Sequence, residues 1–131
     1  MNVMTVNEDN VEIFSKVLIE ASEWLNSTGN LIGVYVIQWY DPLFWSELKE
    51  NESGFLHKLA VSRKYSGKGY GTKLIQAAEL LCKEQNIEWL RLNCGTFRPR
   101  LRNFYEGTGF KMLDRVFVDN RDQIRYIKKV V

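Results

Sequence analysis

The chain has 131 residues, 45% of them apolar and 26% charged, and its 18 basic and 16 acidic side chains give a formal net charge of +2. That length suits one domain with a single hydrophobic core, and the composition is that of a globular protein. So small a basic excess argues against nucleic acid as a partner, and no apolar run approaches the ~20 residues of a membrane span.

The opening residues Met1 to Asp9 lack the basic and apolar regions of a secretion signal, so a cytoplasmic location is expected. Val11, Phe14, Leu18, Ala21 and Leu25 recur at helical spacing, and Asn7 to Asn10 supply caps and first-turn acids. This predicts a helix over 9–26, ended by Ser27-Thr-Gly-Asn30. Residues 31–40 are β-branched and aromatic and predict a strand, broken by Asp41-Pro42. A polar loop over 47–54 leads to a second strand over 55–61. Leu74, Ala77, Ala78, Leu81 and Cys82 form one apolar stripe, so 72–85 reads as an amphipathic helix. Residues 87–93 read as a strand, and Pro99 and Gly107 suit the start and end of another helix. A hairpin over 110–118 and 123–131 closes the chain. The order is α-β-β-α-β-α-β-β, an α/β fold with a mixed sheet in one domain over 1–131. Cys82 and Cys94 lack close metal-type spacing and read as buried reduced thiols, so no metal site is expected.

The second strand runs into Ser66-Gly67-Lys68-Gly69-Tyr70-Gly71 at the start of a helix. Glycines there let successive N–H groups converge, and the helix adds its unpaired amides and the positive end of its dipole. The result is a candidate cradle for a pyrophosphate. No Gly-Lys-Ser or Gly-Lys-Thr closes it, which excludes the nucleotide P-loop. The G-x-G-x-G spacing, followed by a strand ending in Asn93, also departs from the dinucleotide fingerprint. A glycine turn without a ligand stays open on this evidence.

Two motifs together give the sequence a resemblance. Leu59-Ala60-Val61 followed by Ser66 to Gly71, and then Phe104-Tyr105-Glu106-Gly107-Thr108-Gly109-Phe110, resemble in order and spacing the GNAT superfamily of acyl-CoA-dependent N-acetyltransferases. The resemblance covers residues 31–131 and implies a mostly antiparallel mixed sheet flanked by helices. It implies acetyl transfer from acetyl-CoA to a primary amine of a small molecule or peptide by direct attack. The alternative is a degenerate acyl-CoA-binding or regulatory domain without catalysis.

Carried onto this chain, the resemblance has the backbone of Leu59, Ala60 and Val61 bind the pantetheine arm as an added strand. The amides of Gly67, Lys68, Gly69, Tyr70, Gly71 and Thr72 would hold the pyrophosphate, with Lys68 and Lys73 adding charge or staying solvated. A backbone N–H near Val61 would polarise the thioester carbonyl. Tyr105 matches the residue that acts as general acid or holds the departing sulfur. The base is not supplied by the motif, because Asn93 cannot accept a proton at neutral pH. His57, the single histidine, is the candidate, with an ordered water relay as competitor.

Several positions depart from the family pattern. Ser66 stands where Arg or Gln is usual, and Arg98-Pro99, with Arg100 and Arg102 nearby, stands where Asn is usual. Arg98 would meet a cofactor phosphate or substrate carboxylate, or simply start an exposed basic helix. With one helix before the strand at Leu31, the family's N-terminal strands would be missing. The uncovered sheet edge would then favour a homodimer or reduced activity. Trp39, Tyr40, Phe44 and Trp45 read as an aromatic acceptor surface, as core packing or as an interface.

Overall fold

The computed structural model describes the backbone at residues 2–5 and 19–131, with side chains from Ser22 onward. Two short strands come first, β1 (Asn2–Thr5) and β2 (Ile19–Leu25), then β3 (Leu31–Gln38) and β4 (Gly54–Val61). A 3-10 turn at Arg63–Tyr65 leads to helix α1 (Tyr70–Glu84), strand β5 (Trp89–Gly95) and helix α2 (Pro99–Gly107). Strands β6 (Lys111–Val118) and β7 (Arg121–Lys129) end the fold. Among the described residues seven strands lie in one sheet of order β1-β2-β3-β4-β5-β7-β6. Every neighbouring pair is antiparallel except β4 with β5.

The expected helix over 9–26 is corrected at its C-terminal end. Ile19 to Leu25 form a strand paired antiparallel with β3, from Ile19 opposite Gln38 to Leu25 opposite Leu31. The rest of that expected helix, up to residue 18, falls outside the described residues. Helical spacing alone cannot see that β3 offers an open ladder of N–H and C=O groups, and pairing with it overrides local preference. The same finding removes the expectation that the family's first strands are missing. Both β1 and β2 precede β3, β2 covers its edge and β1 pairs with β2, so the argued basis for a dimer at the β3 edge falls.

Both faces of the sheet are packed. On one face Leu74, Ile75, Ala78 and Cys82 of α1 meet Ile37, Leu56, Leu90 and Leu92 in the main core. On the other, the segment after β3 folds Phe44 and Trp45 against Phe55 in a second cluster. Arg125 from β7 pins this segment: its guanidinium donates to the Phe44 carbonyl (2.9 Å), Glu47 (2.9 Å) and Asp114 (2.7 Å). It also lies over the Trp45 ring at 4.4 Å. Trp39, Phe44 and Trp45 are therefore core residues, not an acceptor surface. The closing hairpin is tighter than expected, with Asp119 and Asn120 both at positive φ (53° and 60°), which is a two-residue type I′ turn. Cys82 and Cys94 are buried and not joined in a disulfide. Among the described residues no helix is long and apolar enough to cross a membrane.

Candidate functional site

The site begins with a fault in the sheet. Strands β4 and β5 pair only at Gly54–Leu90, Phe55–Arg91 and Leu56–Leu92, although both continue well beyond. On the other side of β4, Ile37 opposes Leu56 and Val36 opposes Lys58, so His57 is a bulged residue without a partner. A bulge bends its strand and increases the local twist. Here β4 bends at the point where it leaves β5, while β5 stays paired with β7 as far as Gly95 opposite Gln123. A wedge-shaped gap opens with His57 at its apex.

Beyond the bulge, one edge of β4 has no neighbouring strand. Ser62 N–H donates to the Ile32 carbonyl on β3 at 2.7 Å. Strand amides alternate sides, so the Val61 N–H faces the gap. The chain then enters the glycine loop. Gly67 and Gly69 have φ of +72° and +81°, and a β-carbon at either would meet nothing within 4 Å, so glycine serves conformation there. Gly71 lies within α1 and serves packing: a β-carbon would come within 2.9 Å of the Phe104 ring. The six successive amides from Gly67 to Thr72 have no acceptor among the described residues. The next amide, Lys73, is the first to bond within the helix, to the Gly69 carbonyl at 3.3 Å. Six unpaired donors beside a helix N-terminus form a strong anion cradle.

Loop, strand edge and α2 enclose a cavity of about 350 Å³. Of the residues singled out in the sequence, Leu59, Val61, Gly67, Gly69, Tyr70, Gly71, Thr72 and Tyr105 line it. Ala60 is exposed on the other face of β4, so only its backbone is available. Lys68 is exposed with its Nζ 5.8 Å over the Tyr65 ring, and Lys73 sits 5.2 Å over Tyr70, beside the loop rather than in the cavity. Tyr65, Leu101 and Phe104 complete the wall. Tyr65 had no signal in the sequence, whereas Phe104 was visible within its motif. Leu101 and Phe104 are shared with an adjoining open groove of about 560 Å³ lined by Phe97, Arg98, Pro99 and Arg100. Neither Arg98 nor Arg100 has a carboxylate partner among the described residues.

Tyr105 is 7% exposed, and its hydroxyl has no hydrogen-bond partner among the described residues. Burial, with a smaller contribution from Cys94, pushes its phenol up to about 12. Its helix is fixed to β7 by a part-buried relay. Arg102 Nε donates to Tyr126 Oη (2.9 Å), whose hydroxyl donates to Glu106 Oε2 (2.7 Å). Arg102 thus turns inward as a structural residue, unlike Arg98 and Arg100. Asn93 is similarly occupied, donating from Nδ2 to Gln123 Oε1 at 2.9 Å.

His57 does not line this cavity. It shares a strand face with Phe55, two residues away, and so faces the segment after β3 rather than the helices. Its Nε2 lies 3.1 Å from Asp41 Oδ2, with the histidine side chain 26% exposed and the aspartate 4%. Asp41 Oδ1 accepts from the Leu43 (3.2 Å) and Phe44 (3.1 Å) amides. Burial pushes the Asp41 carboxyl up, but the His57 contact and these two amides outweigh it and hold the group below its usual range. The sequence marked Asp41 only as a strand breaker.

A parallel strand pair that splays, a glycine loop of free amides and a tyrosine between them define the acetyltransferase class. The chain belongs to the acetyltransferase (GNAT) family, whose model matches residues 10–110. It is 32% identical over 74 residues to an N-acetyltransferase of Bacillus subtilis, YesJ, covering 56% of this chain and 41% of that protein. It is 32% identical over 77 residues to N-alpha-acetyltransferase 30 of Schizosaccharomyces pombe, covering 56% of this chain and 51% of that one. The chain thus spans about half the length of these curated relatives. A GNAT family acetyltransferase of Elizabethkingia anophelis, solved with acetyl-CoA bound, shares the fold at a TM-score of 0.69 and 14% identity, with 98% and 97% of the two chains covered.

Proposed function

We propose that the protein transfers the acetyl group of acetyl-CoA to a primary amine of a small molecule or peptide in the cytoplasm. The observation that carries this reading is the set of six unpaired amides from Gly67 to Thr72, continuous in one cavity with the free edge of β4 and the Tyr105 hydroxyl. The acetyl-CoA bound in the Elizabethkingia structure and the N-alpha-acetyltransferase name of the yeast relative support an acetyl-CoA donor and an amine acceptor respectively.

The donor supplies an activated acetyl thioester. The Gly67–Thr72 amides hold its pyrophosphate, and the Leu59–Val61 backbone aligns its arm, with the acetyl end directed to the gap. Arg98 and Arg100 extend positive charge along the adjoining groove. An amine entering from the His57 side meets the carbonyl carbon, and its nitrogen forms the new C–N bond. His57 takes the proton this nitrogen must lose, by which the chain contributes on the order of 10²-fold or more. Charge that develops on the carbonyl oxygen is met by the Val61 N–H. As the C–S bond breaks, the Tyr105 hydroxyl hydrogen-bonds the departing sulfur.

Titration calorimetry with acetyl-CoA, then a thiol-release assay across an amine panel, tests the reading. Binding with turnover is expected. Binding without turnover on any amine would leave an acyl-CoA-binding domain, and no binding would reduce the glycine loop to a turn. His57→Ala should lower kcat at least tenfold with saturating donor, and an unchanged rate would remove His57 from the mechanism.

A further inference from the structure

The apex of the gap holds two residues in contact. His57 bulges from β4 where its pairing with β5 stops. Asp41 reaches it from the segment that follows β3, with Oδ2 3.1 Å from His57 Nε2. That oxygen is buried and has no other hydrogen-bond partner. The aspartate is also fixed, because its Oδ1 is held by the amides of Leu43 and Phe44, and Phe44 is itself packed in the second cluster. A buried, immobile carboxylate oxygen whose near neighbour is an imidazole nitrogen selects the ring's tautomer, since it accepts a proton and cannot donate one.

We propose that Asp41 is the positioning residue for His57: it holds the imidazole as the Nε2–H tautomer and leaves Nδ1 as the nitrogen that takes the amine's proton. This rests on the base role given to His57 above. Nδ1 gains the proton, the amine nitrogen loses it as the C–N bond forms, and Asp41 stays ionised while the imidazolium carries the charge. The ring then returns its proton to solvent.

Asp41→Asn separates this role from mere attachment of the segment to β4. The Leu43 and Phe44 amides still need an acceptor, so the new side chain keeps its oxygen toward them and turns its NH₂ to His57. Facing a donor, Nε2 becomes the acceptor and the ring proton moves to Nδ1, which blocks the base. A tautomer reversed by the same replacement disables Ser-His-Asp triads.

Because His57 is the chain's single histidine, ¹⁵N spectra of the imidazole give one set of signals. In the neutral form of the ring the wild type is expected to show Nε2–H and Asp41→Asn to show Nδ1–H. The variant's kcat should fall at least tenfold with the KM for acetyl-CoA unchanged, and combining it with His57→Ala should add no further loss. An Nδ1–H ring in the wild type would overturn the proposal, and this measurement needs no variant to fold. The same tautomer in both proteins overturns it even if kcat falls. A reversed tautomer with unchanged kcat instead overturns the base role of His57 on which it depends.

Discussion

Replacing Tyr105 by phenylalanine isolates one hydroxyl at the centre of the proposed chemistry. The ring's contacts with Phe104 (5.3 Å), Phe110 (5.8 Å) and Tyr126 (6.5 Å) survive the change. The hydroxyl has no partner to lose, so stability at neutral pH should stay within about 0.5 kcal/mol. Its catalytic contribution follows from acidity. With the Tyr105 phenol near 12 and an ordinary thiol near ~8.5, full proton transfer to the sulfur is uphill by roughly 3.5 units, about 5 kcal/mol. In the proposed mechanism Tyr105 would therefore serve as a hydrogen-bond donor to the sulfur, which would gain its proton from water. A hydrogen bond to a charged group is worth about 1.5–3 kcal/mol, so Tyr105→Phe should lower kcat by roughly 10- to 150-fold. Thiol release under saturating acetyl-CoA and a responsive amine measures this. An unchanged kcat, with the chemical step shown to be rate-limiting, would refute the contact with sulfur. The same group makes a second prediction about stability. Its folded value is raised from 10.0 to about 12, so its stabilisation is complete below pH 10 and lost as pH rises toward 12. That amounts to roughly 3 kcal/mol, and the phenylalanine variant should lack this loss in alkaline unfolding curves.

Gly69→Ala and Gly71→Ala should fail differently. The first forces a side chain to φ +81° with open space around it, costing about 1–2 kcal/mol in urea unfolding. The second fits the helix but pushes on Phe104 in the cavity wall, so stability should change little while the calorimetric Kd for acetyl-CoA rises. Arg125→Met leaves the Phe44 carbonyl unpaired and removes the cation over Trp45, and should cost about 2–3 kcal/mol by denaturant titration. Asp122 is held down to about 2, first by Arg115 and then by Thr96. Its contribution is present above pH 4 and lost as pH falls toward 2. Amide exchange at Thr96, whose N–H donates to the Asp122 carbonyl, should quicken over that window, and Asp122→Asn should abolish the change.

The parts legible in the sequence were those set by local chain geometry. Glycines at 67 and 69 announce left-handed turns, Pro99 a helix start, and the stripe through Leu74, Ala78 and Cys82 a helix with one buried face. Reading Ile19–Leu25 as helix failed because the partner that makes it a strand, β3, lies across a turn and contributes no periodicity to the window. The aromatic residues 39–45 were ambiguous for a similar reason. Whether Trp45 faces an acceptor or a core depends on Phe55 and Arg125, which are distant in sequence.

By itself, then, the sequence determined the glycine loop and the helix beside the cavity, which form the proposed donor side. A phosphate cradle made of backbone amides needs only glycines at the right spacing before a helix, and Tyr105 is placed by the helix that carries it. Tertiary structure decided the proposed acceptor side. The gap exists because β4 bulges at His57 and parts from β5 after Leu56. The pairing of His57 with Asp41 exists because the segment after β3 folds back over that bulge. Such features are contacts between separate strands, with energies that no local stretch of residues contains.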